Sequence, residues 1–389
     1  MQQTYFFFFG GFPQLSAAEL SALADSFSLK PLPLTPNIRQ LQLLPNQLPF
    51  FQSRLGGTTK IAELVSNHLS PSDLSSQLIS LLNQIDTKNI ALTNYTPWLK
   101  LPPDFVSQLK HQLASPKRFL NFNLQPPSLI ALRKQHATEI AILPQSDHSL
   151  FLAKTIWIQD SDHWVERDRH RPYQDIKRGM LPPKIARIMV NLATTHQPKG
   201  LLIDPFCGTG TIPLEAMLLG YDVFASDLDS QAVVGTRQNL TWLQQRFHLQ
   251  SRFQVQQLDA THLGQVLSRI DFIVTEPFMG KLLDDQNYPH PQKLKNIIKG
   301  LNKLYLGVLK NWHPLLHSQS RVVMIFPQFQ LFDRVWSIPL IDTCEKLGYN
   351  KLAQLSYSKP QAKVARQILI LQKSDHRSLN SYGSYKTNW

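Results

Sequence analysis

The sequence predicts a two-part chain: a mixed α+β region first, then an α/β domain built on a buried parallel sheet. Three observations carry this expectation. The 389 residues exceed what one hydrophobic core usually fills. From residue 183 onward, short apolar runs alternate with helical patterns, as strands covered by helices on both faces require. Between residues 164 and 190 the composition shifts to seven Lys or Arg against three acids, which marks a junction. The expected divisions are residues 1–163, a basic linker over 164–182, the sheet domain over 183–373, and a mobile tail over 374–389.

In the first region, runs rich in aromatic and β-branched residues predict strands at 5–9, 89–94, 119–123, 139–143 and 150–158. Helical spacing predicts helices over 17–24, 71–85, 103–113 and 128–135. Ser70-Pro71 supplies an N-cap and a proline in the first turn of one of them. The run Phe6-Phe7-Phe8-Phe9 has no basic stretch before it and is too short to span a bilayer, so it reads as a buried strand.

In the second region, helix 183–192 leads to strand 201–204, helix 212–219, strand 222–226, helix 231–247 and strand 253–258. A short helix near 263–268, strand 272–275, helix 291–312, strand 321–326 and helix 332–346 follow. Strands 352–357 and 367–371, joined by a polar turn, read as an antiparallel hairpin appended to the sheet.

The formal charge of +13 comes from 40 Lys or Arg and 27 Asp or Glu, so acids are scarce and a polyanionic partner fits. The two cysteines, Cys207 and Cys344, exclude a disulfide framework or a cysteine-based zinc site and suit the cytoplasm. His111, His136, His148, His163, His170 and His196 show no metal-ligand spacing, so no metal is expected. No stretch reaches the roughly 18 apolar residues of a membrane helix, and no membrane association is expected.

In an open parallel sheet, ligands bind beyond the carboxyl ends of the strands. Asp204-Pro205-Phe206-Cys207-Gly208-Thr209-Gly210 occupies such an end, with Gly208 and Gly210 permitting a tight turn. The third glycine of a dinucleotide loop is replaced by Pro213, and the leading acid would repel a pyrophosphate while suiting a ligand with an ammonium group. Asp227 follows Gly208 by 19 positions at the end of the next strand, where its carboxylate could accept from both ribose hydroxyls. Asp259 ends the third strand and could accept from an adenine amino group. Taken singly, Asp227 could equally be a helix N-cap and Asp259 a solvated loop acid; together with the glycine turn they make a pocket for S-adenosyl-L-methionine. Cys207 needs only to be small and apolar within that loop.

Three motifs resemble those of the THUMP-domain-containing tRNA guanosine N2-methyltransferases: Arg178-Gly179-Met180-Leu181-Pro182-Pro183-Lys184-Ile185-Ala186, the loop from Asp204 to Thr211, and Ser226-Asp227-Leu228-Asp229. The resemblance covers most of residues 170–372. More faintly, Leu15-Ser16-Ala17-Ala18-Glu19-Leu20 and Leu55-Gly56-Gly57-Thr58-Thr59-Lys60-Ile61 look like the family's RNA-binding half. The resemblance implies a Rossmann-like class I methyltransferase sheet behind an N-terminal THUMP-type, partly ferredoxin-like region, and transfer of a methyl group to N2 of a guanosine in tRNA, at position 10. It implies further that Asp204, Pro205, Phe206, Cys207, Gly208, Thr209 and Gly210 line the methionine side, Asp227 and Leu228 the ribose, and Asp259 and Ala260 the adenine. Some relatives act with a small activating zinc protein.

Amine methyltransferases place an Asp or Asn, two prolines and an aromatic residue at the end of the fourth strand, to accept from the amine and to stack on an extruded base. This chain carries Glu276-Pro277-Phe278-Met279 there. Glu276 and the Pro277 carbonyl are expected to hold the amine, and Phe278 to stack on the guanine. The longer carboxylate requires the backbone to retreat. Lys293, Lys295, Lys299, Lys303 and Lys310, and eight Lys or Arg from Lys346 to the end, could meet phosphates, or could simply be the wet face of their elements. The amine motif serves other bases too, so methylation of ribosomal RNA or DNA, or a noncatalytic RNA-binding role, stands beside the leading reading.

Overall fold

The computed structural model describes residues 1–175, 180–195, 197, 199–280, 289–358 and 362–374. It divides into two compact units, Met1–Arg167 and Asp168–Trp389. Arg178 and Gly179 of the first motif, His196, residues 359–361 of the turn over 358–363 and residues 375–389 of the expected tail lie outside the described residues.

The first unit is one eight-stranded sheet with helices. Its elements run β1 (Gln3–Phe9), α1 (Pro13–Asp25), β2 (Leu32–Thr35), β3 (Ile38–Leu43), α2 (Leu48–Arg54), β4 (Thr58–Leu69), α3 (Leu74–Gln84), β5 (Asn89–Asn94), α4 (Phe105–His111), β6 (Arg118–Phe119), α5 (Leu129–Lys134), β7 (Thr138–Pro144) and β8 (Leu150–Ile158). The spatial order is β2-β3-β1-β4-β8-β7-β5-β6. The phenylalanine run is a buried strand, as expected, because β4 and β3 flank it on both edges and its side chains enter two cores. Three strands were not anticipated. β2 carries a proline, β3 interleaves Arg and Gln, and β4 is mostly exposed over residues 65–68, so none reads as a clean apolar alternation.

Two short motifs of this unit meet. Glu19 on α1, fully buried, accepts from the backbone N–H groups of Gly56 and Gly57 at 2.9 and 2.8 Å. A side chain at position 57 would collide with Ser16, since a Cβ there would lie 2.3 Å from Ser16 Oγ. Deeper in the sheet, Lys60 pairs with Glu139, which also accepts from Thr93, Tyr95 and Thr155. A buried carboxylate stays charged at little cost only with such partners.

Helix α6 (Ser161–Arg169) spans the division between the units. The second unit then runs α7 (Pro183–Ala193), β9 (Leu201–Asp204), α8 (Thr211–Leu218), β10 (Asp222–Asp227), α9 (Ser230–Arg246), β11 (Phe253–Gln257), β12 (Ile270–Thr275), α10 (Pro291–Trp312), β13 (Leu316–Leu331), β14 (Arg334–Trp336), α11 (Ile341–Cys344), β15 (Tyr349–Tyr357) and β16 (Val364–Lys373). The sheet order is β11-β10-β9-β12-β13-β16-β15. The first five strands are parallel, and β16 runs antiparallel between β13 and β15. This is a Rossmann-like sheet with one antiparallel strand inserted near its edge. The chain winds outward from β9 to β11 and then returns to β12 on the other side of β9, so the connections part at the carboxyl ends of β9 and β12 and leave a crevice there.

The final hairpin is appended to the sheet beyond β13 as expected, with β16 next to β13 and β15 at the edge, so that β16 is buried on both faces. One local expectation fails. Residues 332–346 are not one helix. Phe332 and Asp333 adopt left-handed backbone conformations, turn β13 back onto β14, and leave only the short α11 further on.

Candidate active site

The loop after β9 sits in the crevice. Gly208 and Gly210 adopt left-handed conformations (φ +52° and +81°), which any L side chain would strain. Cys207 N–H donates to the Ser226 carbonyl at 2.9 Å, and Gly210 N–H to the Cys207 carbonyl at 2.7 Å, so the loop closes on itself and on β10. From α9, Thr236 Oγ1 donates to the Gly208 carbonyl at 2.8 Å, and Asn239 Nδ2 to the Thr209 carbonyl at 2.9 Å. The two glycines face different surroundings. A Cβ on Gly210 would press on Thr236 at 3.0 Å, whereas one on Gly208 would meet nothing within 4 Å. Gly208 therefore borders open space that a ligand could approach closely, and Pro205, Phe206 and Thr209 belong to the same turn.

Four carboxyl groups stand at successive strand ends. Asp204 at the end of β9 is 2% exposed; its Oδ1 accepts from Thr275 Oγ1 at 2.7 Å and from Phe206 N–H at 3.3 Å. Burial pushes its pKa up to about 7, Thr275 and Phe206 pull it back, and the negative charges of Asp227 and Glu276 add to the rise. Asp227 at the end of β10 accepts from Gly208 N–H at 2.9 Å and from Asp229 N–H at 3.0 Å, one on each oxygen. Each oxygen keeps a second lone pair. Asp229, not Asp227, caps α9 by accepting from Gln231 N–H. Leu228 beside it is 67% exposed.

Asp259 follows β11 and caps a short 3-10 helix, Ala260–Gln265, accepting from Thr261 N–H and Oγ1 at 2.8 and 2.7 Å. Those donors hold its pKa below the usual carboxylate range. Both bonds fall on Oδ1. Ala260 is buried, and its carbonyl accepts from Trp312 Nε1 at 2.8 Å, so α10 anchors this corner.

The turn after β12 carries the fourth carboxyl group. Glu276 Oε1 accepts from Arg366 Nε at 2.8 Å, an ion pair across β13 from β16. Burial raises the Glu276 pKa, and Arg366 opposes that rise. Pro277 is buried, while Phe278 is 55% exposed, as a stacking platform requires. Tyr305 on α10 donates its hydroxyl to the Phe278 carbonyl at 2.8 Å and so fixes the turn beneath the ring.

Asp227 and Glu276 are thus brought close enough to Asp204 to raise its pKa, whereas Asp259 stands apart beside the adjacent strand. Thr275, Thr236, Asn239, Tyr305 and Arg366 shape the site without having been singled out from the sequence. Thr275 adjoins Glu276 and could have been noticed; the others are brought in only by tertiary contacts. Arg366 is not one of the free phosphate-facing cations expected of the terminal segment, because it is half-buried against Glu276. The five lysines of α10 are exposed opposite the buried face of Leu294, Leu301, Tyr305, Val308, Leu309 and Trp312. Cys207 is buried and burial pushes its thiol pKa well up, which removes thiolate reactivity.

The segment before α7 closes the site's far wall. Arg171 Nη1 donates to Thr211 Oγ1 at 2.8 Å, at the start of α8. Tyr173 exchanges hydrogen bonds with the Asn239 side chain at 2.9 and 3.0 Å, and its ring lies where a Cβ on Gly235 would stand 2.1 Å away. A buried ion pair, Arg187 with Glu215, ties α7 to α8.

Comparison with known proteins places this geometry. The tRNA (guanine(10)-N2)-dimethyltransferase of Methanothermobacter thermautotrophicus is 31% identical over 192 residues, covering 48% of this chain and 51% of that protein. The protein of the same name from Methanocaldococcus jannaschii is 27% identical over 198 residues, covering 43% and 54%. The chain spans about half the length of the curated relatives it matches. The crystal structure of TrmN from Thermus thermophilus shares the fold over 95% of this chain and 99% of that one, with a TM-score of 0.54 at 16% identity. Residues 169–338, from the segment that docks on α8 and α9 to the end of the β13–β14 hairpin, match the family described as RMKL-like, methyltransferase domain.

Proposed function

We propose that this chain transfers a methyl group from S-adenosyl-L-methionine to the exocyclic N2 amine of a guanosine in tRNA. The observation that carries the reading is the convergence of Asp204, Asp227 and Glu276 on a glycine turn at the switch point of the sheet. The matched relatives support it, because their names state tRNA guanine N2 methylation, at position 10 in the two archaeal proteins and at position 6 in a third relative from Thermus thermophilus, 31% identical over 156 residues. Position 10 is the first expectation.

The residues present fit the cofactor. Asp227 has its carboxylate locked by two backbone donors with lone pairs to spare for two hydroxyls. Gly208 leaves the open approach that a methionyl chain needs. The bound cofactor supplies an electrophilic methyl group on a sulfonium centre with net positive charge, which three clustered carboxyl groups attract. Pro205, Phe206, Cys207, Thr209 and Gly210 complete the wall on the methionine side, Leu228 lies against the ribose, and Asp259 with Ala260 receives the adenine.

An aniline-like amine is a weak nucleophile, so alignment and hydrogen-bond acceptance must supply much of the acceleration. Glu276 and the Pro277 carbonyl accept from the two amine protons and point its lone pair at the methyl group. Phe278 stacks on the guanine ring. The proton leaves to the carboxylate or to water as the new bond forms. The first unit, read as THUMP-type, binds the RNA, and the exposed lysines of α10 add salt-dependent phosphate contacts.

Incubating the protein with radiolabelled S-adenosyl-L-methionine and total tRNA, then digesting to nucleosides, tests this directly. N2-methylguanosine or its dimethyl form is the expected product, and mass spectrometry of tRNA fragments places it at position 10 or 6. Label in another nucleoside, in ribosomal RNA or DNA alone, or in none, overturns the proposal.

A further inference from the structure

We infer that Arg366 is the positioning residue that lets a glutamate serve at position 276 as the acceptor for the substrate amine. The inference rests on the proposed amine methylation. It starts from a mismatch of length: a Glu side chain at this turn places its carboxylate about one C–C bond further out than an Asp, and burial favours the neutral acid, which is a weaker acceptor and carries a competing O–H donor.

The sheet supplies the correction. Thr275 lies level with Met324, so Glu276 follows at the level of Ile325 and, one strand over, Ile368. Arg366 is two residues further out on β16, opposite Pro327 and Tyr357. Both Arg366 and Ile368 point to one face of the sheet, and the guanidinium returns across β13 to place Nε 2.8 Å from Glu276 Oε1. Tyr357 stands 6.0 Å from the guanidinium and bounds it on the other side. Among the described residues only Oε1 is engaged. Oε2 makes no hydrogen bond to any described residue, so one oxygen is anchored while the other remains an acceptor.

Such an arrangement depends on β16 being inside the sheet. With β15 rather than β16 beside β13, Arg366 would lie one strand further from the active turn. The charged and titratable groups that face Glu276 are Asp204 from β9, Arg366 from β16, Tyr305 from α10 and Tyr357 from β15. Among the described residues Arg366 is the one cation in this set, and it favours the carboxylate over the acid.

The test is a pH profile of single-turnover methyl transfer for wild type, Arg366→Lys and Arg366→Gln, with the Glu276 carboxyl titrated independently by carbon NMR of glutamate-labelled protein, its signal assigned through Glu276→Gln. In Arg366→Gln the acid limb of the rate moves to higher pH. A limb displaced by one pH unit lowers the rate about tenfold on its acid side, and the rate recovers as the pH is raised. The carboxyl titration moves with it, cofactor affinity stays within about twofold of wild type, and Arg366→Lys recovers part of the loss. A merely structural role would lower the amount of folded protein and leave the limb in place. An unmoved limb and titration, or an Arg366→Gln protein faster than wild type, overturns this inference while leaving the proposed reaction standing. A wild-type protein that binds the cofactor but methylates no RNA overturns both.

Discussion

The Asp204 carboxyl group should cost the ligand-free protein stability that Asp204→Asn returns. The carboxyl is 2% exposed, and burial with two nearby acids carries its pKa from 3.8 to about 7. Because the folded state holds the proton more tightly than the unfolded chain, stability falls as pH rises from about 4 to about 7 and levels off above that. At about 1.36 kcal/mol per pH unit the whole gap corresponds to about 4 kcal/mol. Asn is nearly isosteric, and its Oδ1 can still accept from Thr275 and Phe206, so the substitution removes the charge and keeps both bonds. Urea unfolding of wild type and Asp204→Asn at several values between pH 5 and pH 8 should show the variant gaining roughly 3 kcal/mol over wild type across that range. Calorimetry should show the opposite for function. Wild-type affinity for the cationic donor rises with pH through about 7 as Asp204 ionises, and the variant binds weakly at every pH. Parallel pH dependences of stability in the two proteins would refute the reasoning, since the only source of the difference is a buried carboxyl group that ionises late.

Substitutions at three further places test packing, ligand binding and a buried ion pair. Gly208→Ala should cost only about 1 kcal/mol of backbone strain, because its Cβ meets nothing, yet weaken cofactor binding at least about tenfold in calorimetry; unchanged affinity would remove Gly208 from the pocket wall. Gly235→Ala drives a Cβ to 2.1 Å from Tyr173, so limited proteolysis should quicken around residues 170–175 and binding should weaken, and adding Tyr173→Ala should relieve the clash without restoring affinity. In the first unit, Lys60→Met leaves the buried Glu139 carboxylate without its cation and should cost about 3–5 kcal/mol in urea unfolding. Lys60→Met with Glu139→Gln should recover most of that loss, and a double variant no more stable than the single one would contradict the ion-pair account.

What could be read from the chain followed from periodicity and from strand ends. The run Leu201-Leu202-Ile203-Asp204 shows both a buried parallel strand and the acid at its tip, so the crevice was legible before any coordinates. The order of the last strands was not, although composition carried a hint: β16 is apolar through Ile368, Leu369, Ile370 and Leu371, as a strand covered on both faces must be, whereas β15 alternates Asn, Lys and Gln and suits an edge. The helix expected over 332–346 failed because Phe332, Trp336 and Leu340 happen to fall at helical spacing. Their real partners are non-local: Trp336 lies opposite Phe329 on β13, and Leu340 enters the core. Periodicity cannot distinguish these cases when a left-handed pair such as Phe332-Asp333 begins the segment.

The same limit explains why Glu276 looked like a defect in sequence and does not in the fold. Read along the chain, it departs from a shorter carboxylate and lacks the second proline. Its compensation lies 90 positions away, on a strand whose location was the part of the topology that sequence could not order. A turn motif records which groups touch the substrate but not which groups hold them there. The cation that fixes a buried carboxylate can come from any strand within reach, and here the inserted antiparallel strand brings it in. A residue type that breaks a motif is therefore better judged by its ion-pair partner than by its side-chain length. For this chain that judgement fits an intact acceptor, since Arg366 anchors Oε1 at 2.8 Å while no described residue takes Oε2.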